Sequence, residues 1–202
     1  MKTINEMTFI STVDGVHALG PRRLVSYLRQ HVDLNIKLLL NVSSRIQIKS
    51  VSKGRVNRYF SPEARKNFLE FVSHSDVVAL SLFSGSKPMA EIMTRIIKEE
   101  YPDKIVVWGG VHPTIAPEEC VDCADYVYVG EGEIGFSRFL NELIEGRDGL
   151  NVNGIWARRN GELISNNHEP FVMCIDELGF PEYGMSDSYM LWGDDIVELT
   201  IG

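Results

Sequence analysis

Cysteine is scarce in this chain of 202 residues: there are three, an odd number and too few for a disulfide scaffold. A reducing, cytoplasmic setting is the expectation that follows. No apolar run approaches the ~18 residues of a membrane span, so no membrane partner is expected. The opening MKTINEMTFI lacks the layout of a secretory signal. Lysine and arginine stop at Arg159. Beyond it stand nine acids, whereas the first 159 residues carry 20 basic and 19 acidic groups. That balance does not attract a phosphate backbone, so no nucleic acid is expected as a partner. The acidic last fifth reads as a linker, or as a strip that docks on something basic. Also missing are GxGxxG, GxxxxGK(S/T), GxSxG and HExxH, and the CxxxCxxC spacing of a three-cysteine iron–sulfur cluster. With no self-sufficient catalytic set, this segment reads as a binding domain, not an enzyme by itself.

Strand and helix signals alternate through residues 7 to 145. Met7–Thr12, Ile36–Leu40, Val77–Leu82, Ile105–Trp108 and Tyr126–Val129 are short, apolar, strand-length runs. VVALSL and IVVW are apolar throughout, as parallel strands covered on both faces are. Between them lie helical stripes: Leu24, Leu28 and Val32; Ala64, Phe68 and Val72, opened by Ser61-Pro62; Met89, Ile92, Met93 and Ile96, after Pro88; and Phe139, Leu140 and Leu143. Five such β-α-like units predict an α/β fold with a parallel sheet and helices on both faces. Residues 43 to 60 are polar and basic and give no clear period. Asn160-Gly161, between Gly154–Arg158 and Glu162–Ser165, predicts a β-hairpin. Residues 166 to 202 read as an irregular acidic connector.

In an open α/β sheet a ligand lies beyond the carboxyl ends of the strands. The loops there are Val13–Gly20, Ser81–Lys87, Gly109–Pro117 and Gly130–Glu133, and Gly, Ser, His and Thr gather in them. Gly109-Gly110 is either a ligand slot or a tight turn. Ser81, ending an apolar strand, serves a ligand or bonds a neighbouring carbonyl. His17 is a metal ligand oriented by Asp14, or an exposed loop histidine. Glu131 accepts hydrogen bonds from a ligand, or it and Glu133 complement a helix dipole. Cys120 and Cys123 form a CxxC with no second pair, and read as ordinary small residues.

In combination, VVALSLFSGSKP (Val77–Pro88), VVWGGVHPTIAPEE (Val106–Glu119) and ADYVYVGEGE (Ala124–Glu133) resemble the cobalamin-binding domain that precedes the catalytic barrel of many radical S-adenosylmethionine (radical SAM) proteins. The resemblance covers roughly Met7 to Leu143. It implies a flavodoxin-like (Rossmann-like) five-stranded parallel sheet. The corrin would lie flat over the strand ends and its nucleotide tail would run beside the sheet. Ser81-Leu82-Phe83 stands where such domains carry Ser-x-Leu, and Ser81, Gly109 and Gly110 would line the tail channel. The expected cofactor-binding residues are Asp14, His17, Gly20, Ser81, Phe83, Ser84, Gly109, Gly110, His112, Thr114, Gly130, Glu131 and Gly132. His17 would be the axial cobalt ligand, although Asp14 stands one residue farther from it than the Asp-x-His-x-x-Gly pattern requires.

The implied organisation is a cobalamin-binding-like domain over residues 1–148, then a hairpin and linker over 149–202 leading to a C-terminal radical SAM barrel. The parent would add a 4Fe-4S cluster and S-adenosylmethionine, and act as a methyltransferase or oxidoreductase. Two other functions fit the same fold: a cofactor-free interaction domain that docks the barrel or a substrate, and a flavin- or nucleotide-binding flavodoxin-like domain.

Overall fold

The computed structural model describes residues 3–12, 18–41, 60–181, 187–192 and 194–199. Within them the expected alternation is present. Strand β1 (Glu6–Ser11) leads to helix α1 (Leu19–His31) and strand β2 (Asn35–Asn41). After α2 (Pro62–Val72) come β3 (Val77–Ser81), α3 (Lys87–Glu100), β4 (Ile105–Gly109), a short α4 (Val111–Ile115), β5 (Tyr126–Tyr128) and α5 (Gly132–Ile144). Local signals set these boundaries. Ser61 Oγ accepts from the Ala64 amide at 3.0 Å, which caps α2 just before its first-turn proline.

The five strands are parallel, in the order β2-β1-β3-β4-β5. Strand order therefore reverses between β1 and β3, and this reversal opens a crevice at the carboxyl edge. Alternate residues of each strand enter separate cores. Met7, Phe9, Ala79, Val107 and Tyr128 pack with Val25 and Leu28 of α1 and Phe136 and Phe139 of α5. Ile10, Leu80, Val106 and Trp108 pack with Phe68 of α2 and Met93 and Ile97 of α3. Helices thus cover both faces, as the apolar runs require.

The sheet is larger than five strands. The hairpin β6 (Ile155–Arg159) and β7 (Glu162–Ser165) adds to β5 in antiparallel sense. Its turn residues Asn160 (φ 53°) and Gly161 (φ 85°) are both left-handed, as a two-residue turn of this kind demands. At the opposite edge, β8 (Ser188–Trp192) runs parallel to β2, and β9 (Asp195–Glu198) returns antiparallel to it. The acidic end is therefore not irregular throughout: part of it forms sheet. Its strands are short and carry no sustained period, but pairing along the β2 edge supplies their backbone partners. Among the described residues no helix is long and apolar enough to cross a membrane.

Candidate cofactor-binding site

A cavity of about 280 Å³ opens at the carboxyl edge of the sheet, between α1 and α5. Two register rows build it. The upper row is Ser81 on β3 and Gly109 on β4, with Ser11 of β1 beside Ser81 in register but outside the lining; the row below is Phe9, Ala79 and Val107. The mouth level thus carries hydroxymethyl groups or nothing, and the depth is hydrocarbon. Leu24 from α1 and Phe136 from α5 close the sides. Aromatic rings line this space without filling it.

Gly109 has no conformational reason to be glycine. Its φ lies outside the left-handed region, and a Cβ there would meet only Tyr128, at 3.8 Å. The missing side chain leaves room that the protein's own packing does not use. Gly110 differs. Its φ is +96°, and a Cβ would stand 2.8 Å from the Leu82 carbonyl oxygen and 2.9 Å from Ser81 Oγ. The tight turn alone accounts for that glycine.

Two hydroxyls of the upper row lack partners among the described residues. Ser11 is fully buried and its Oγ makes no hydrogen bond. Ser81 is half-buried, and its Oγ has no partner there either. Buried hydroxyls are normally satisfied, and Ser81, the one of the two that lines the cavity, suits a polar atom of a bound group. Around the mouth stand Leu19, Phe83 and Val111, exposed to 57%, 42% and 64%. They give the carboxyl edge an apolar rim.

Of the expected site residues, Gly20, Ser81, Phe83, Gly109, Gly110, Gly130 and Gly132 line the cavity. Ser84, His112, Thr114 and Glu131 stand outside the lining. His112 is buried, with Nδ1 3.2 Å from Ser84 Oγ and Nε2 3.8 Å from a Glu119 carboxylate oxygen. It clasps the β3 loop to the β4 loop from behind. Thr114 Oγ1 donates to the Gly110 carbonyl at 2.8 Å and accepts from the Gly130 amide at 3.1 Å, tying the β4 and β5 loops together. Glu131 is exposed and accepts from the Val172 amide at 3.0 Å, anchoring the segment that follows the hairpin. Asp14 and His17, with the axial-ligand assignment, lie outside the described residues.

Lining residues that the loop-based reading omitted include Phe9, Leu24, Ala79, Val107, Tyr128 and Phe136. Period-two alternation points to two of them, since Ala79 precedes Ser81 by two and Val107 precedes Gly109 by two. The helix residues carry no such signal. Glu133, also lining the cavity, is buried and paired with Arg23 Nε at 3.3 Å. Burial raises the Tyr128 hydroxyl pKa, so it stays protonated and donates to the Glu131 carbonyl at 2.9 Å. The cysteine pair is inert: burial pushes the Cys120 thiol up to about 11 and raises Cys123 as well. No metal-binding cluster of His, Cys, Asp or Glu occurs among the described residues.

Residues 56–140 match the B12 binding domain family. That match spans 85 of the 202 residues. It is 26% identical over 171 residues to an uncharacterized methyltransferase of Pyrococcus horikoshii, covering 83% of this chain and 33% of that protein. Over 93 residues it is 33% identical to the cobalamin-dependent radical SAM methyltransferase TokK of Streptomyces tokunonensis, covering 44% of this chain and 14% of TokK. The chain thus spans a third or less of these relatives. Its fold is shared by the cobalamin-dependent S-adenosylmethionine radical enzyme OxsB in a structure with aqua-cobalamin and S-adenosylmethionine bound. The TM-score is 0.61 at 23% identity, covering 83% of this chain and 23% of OxsB. The resemblance seen in the three sequence runs thus holds: the chain is similar to B12 binding domains and to cobalamin-dependent radical SAM methyltransferases.

Proposed function

We propose that this B12 binding domain holds a corrinoid for a radical SAM partner domain in the same parent protein, with the nucleotide tail in the cavity beside β3 and β4. The observation that carries the reading is Gly109. Its absent side chain keeps open a space that protein packing neither needs nor fills. The Ser81 hydroxyl at the mouth fits the polar sugar–phosphate part of such a tail. The rim of Leu19, Phe83 and Val111 offers an apolar seat for a flat ring over the strand ends.

When bound, a corrinoid supplies methyl-transfer or radical chemistry at cobalt. The chain's own residues bind, orient and exclude water. Thr114 and His112 hold the three loops in register around the mouth. On this reading residues 1–148 form the cofactor module and 149–202 lead toward the barrel. The parent, by analogy with the methyltransferases it resembles, is a radical SAM enzyme with a 4Fe-4S cluster.

The test is to mix the purified chain with hydroxocobalamin and remove free ligand by gel filtration. A red protein with a visible corrinoid band supports the reading, and Gly109→Leu should abolish that band while the far-ultraviolet spectrum persists. A colourless protein that instead retains flavin, or that retains no cofactor at all, overturns it.

A further inference from the structure

We infer that residues 167–172, which follow the hairpin, are a clamp that holds the β5–α5 wall of the cavity in place, with Glu169 as the positioning residue. This rests on the corrinoid site proposed above and goes beyond it. It makes retention of the cofactor depend on a segment outside the family-matched residues 56–140, and so adds part of the connector to the cofactor module.

The wall is shaped to receive this segment. Gly135 is the fourth residue of α5, a helical position where glycine is unfavourable relative to alanine. A Cβ there would stand 2.7 Å from Glu169 Cγ and would also collide with the Tyr128 hydroxyl. The bare position is therefore a seat that Glu169 and Tyr128 share. The Glu169 side chain is only 10% exposed, and its carboxylate accepts from Arg138 Nη1 of α5 at 2.5 Å.

Three further contacts fix the segment on either side of Glu169. The Asn167 carbonyl accepts from the Gly154 amide at 2.7 Å. His168 Cβ lies 3.4 Å from where a Cβ of Gly130 would stand. The Val172 amide donates to Glu131 Oε2 at 3.0 Å. A linker that merely left the domain would need none of these.

Tyr128, Gly130 and Gly132 line the cavity, and Glu131 sits between the two glycines. Glycines offer no side chains by which this turn could be pinned from within. The clamp pins it from outside, through Glu131, Gly130 and the seat at Gly135. Cofactor and clamp then favour the same arrangement of the β5–α5 turn, and each tightens the other by the same factor.

The experiment uses the whole chain and hydroxocobalamin, and has two parts. In the native chain, cobalamin should slow hydrogen exchange at the Val172 amide by about threefold or more. This part needs no variant. The second part follows loss of the red complex over time by gel filtration. Glu169→Ala empties the seat and removes the ion pair, and should release cobalamin about three- to tenfold faster. Glu169→Gln keeps the packing and an acceptor for Arg138, and should restore most of the native retention. A purely structural Glu169 would lower the urea midpoint of Glu169→Ala and leave release unchanged. That result, or Val172 exchange that cobalamin does not alter, would overturn the inference while leaving corrinoid binding intact. Failure of the native chain to bind cobalamin would overturn the proposed function and the inference together.

Discussion

Ser81 and Gly109 are register partners on β3 and β4, so one unpartnered hydroxyl and one missing side chain sit side by side at the carboxyl edge of the sheet. Directly beneath them Ala79 pairs with Val107. This small stack turns a packed α/β core into a cavity. A Cβ at Gly109 would meet only Tyr128, at 3.8 Å, so a side chain can be added there at the strand end.

Gly110 gives the opposite prediction to its neighbour. Gly110→Ala should destabilise the fold by about 1–3 kcal/mol, because φ there is left-handed and the new methyl meets the Leu82 backbone. Urea denaturation checks this. A Gly110→Ala protein as stable as the native one would show that the turn tolerates a Cβ.

Thr114 links Gly110 and Gly130 through one hydroxyl. Thr114→Val keeps the shape and removes both bonds. The expected cost is about 0.5–1.5 kcal/mol, with faster hydrogen exchange at the Gly130 amide. Unchanged exchange there would mean that the β4 and β5 loops are held by other contacts.

On the opposite face, the Trp108 indole donates to Thr94 Oγ1 at 2.9 Å, and both residues are buried. Thr94→Val is nearly isosteric but leaves the indole N–H without its partner. It should cost about 1–3 kcal/mol, read by denaturation followed through tryptophan fluorescence. A neutral effect would show that the N–H finds another acceptor.

Cys120 sets an alkaline limit. Burial raises its thiol pKa from the ordinary 9.0 to about 11 in the fold. Between those values the unfolded chain loses the proton and the folded chain keeps it. The contribution of the neutral thiol to stability is therefore full below the ordinary thiol pKa and lost as pH rises through the folded one. Stability measured across this window should fall less steeply for Cys120→Ala than for the native chain. In the native fold at mildly alkaline pH, iodoacetamide should modify exposed Cys174 well before Cys120.

The order and type of the central elements were legible in the residues because their signals are local. VVALSL and IVVW are too apolar for anything but covered strands, Ser61-Pro62 opens a helix, and Asn160-Gly161 folds a hairpin by its own backbone preferences. The carboxyl-edge loops were legible for the same reason. The division of labour inside them was not. Gly109 and Gly110 look alike in sequence and both line the cavity, yet only Gly110 is required by its turn, because its φ is left-handed and a Cβ there would meet the Leu82 backbone. His112 and Ser84 belong to the same motif-rich runs but bond to each other behind the cavity. Strand β8 likewise depends on a distant partner, the outer edge of β2, which no local period announces, and β9 in turn pairs with β8. The sequence by itself determined the secondary elements and the family resemblance. Only tertiary packing decided the cavity, since a cavity is shaped by side chains far apart in the chain.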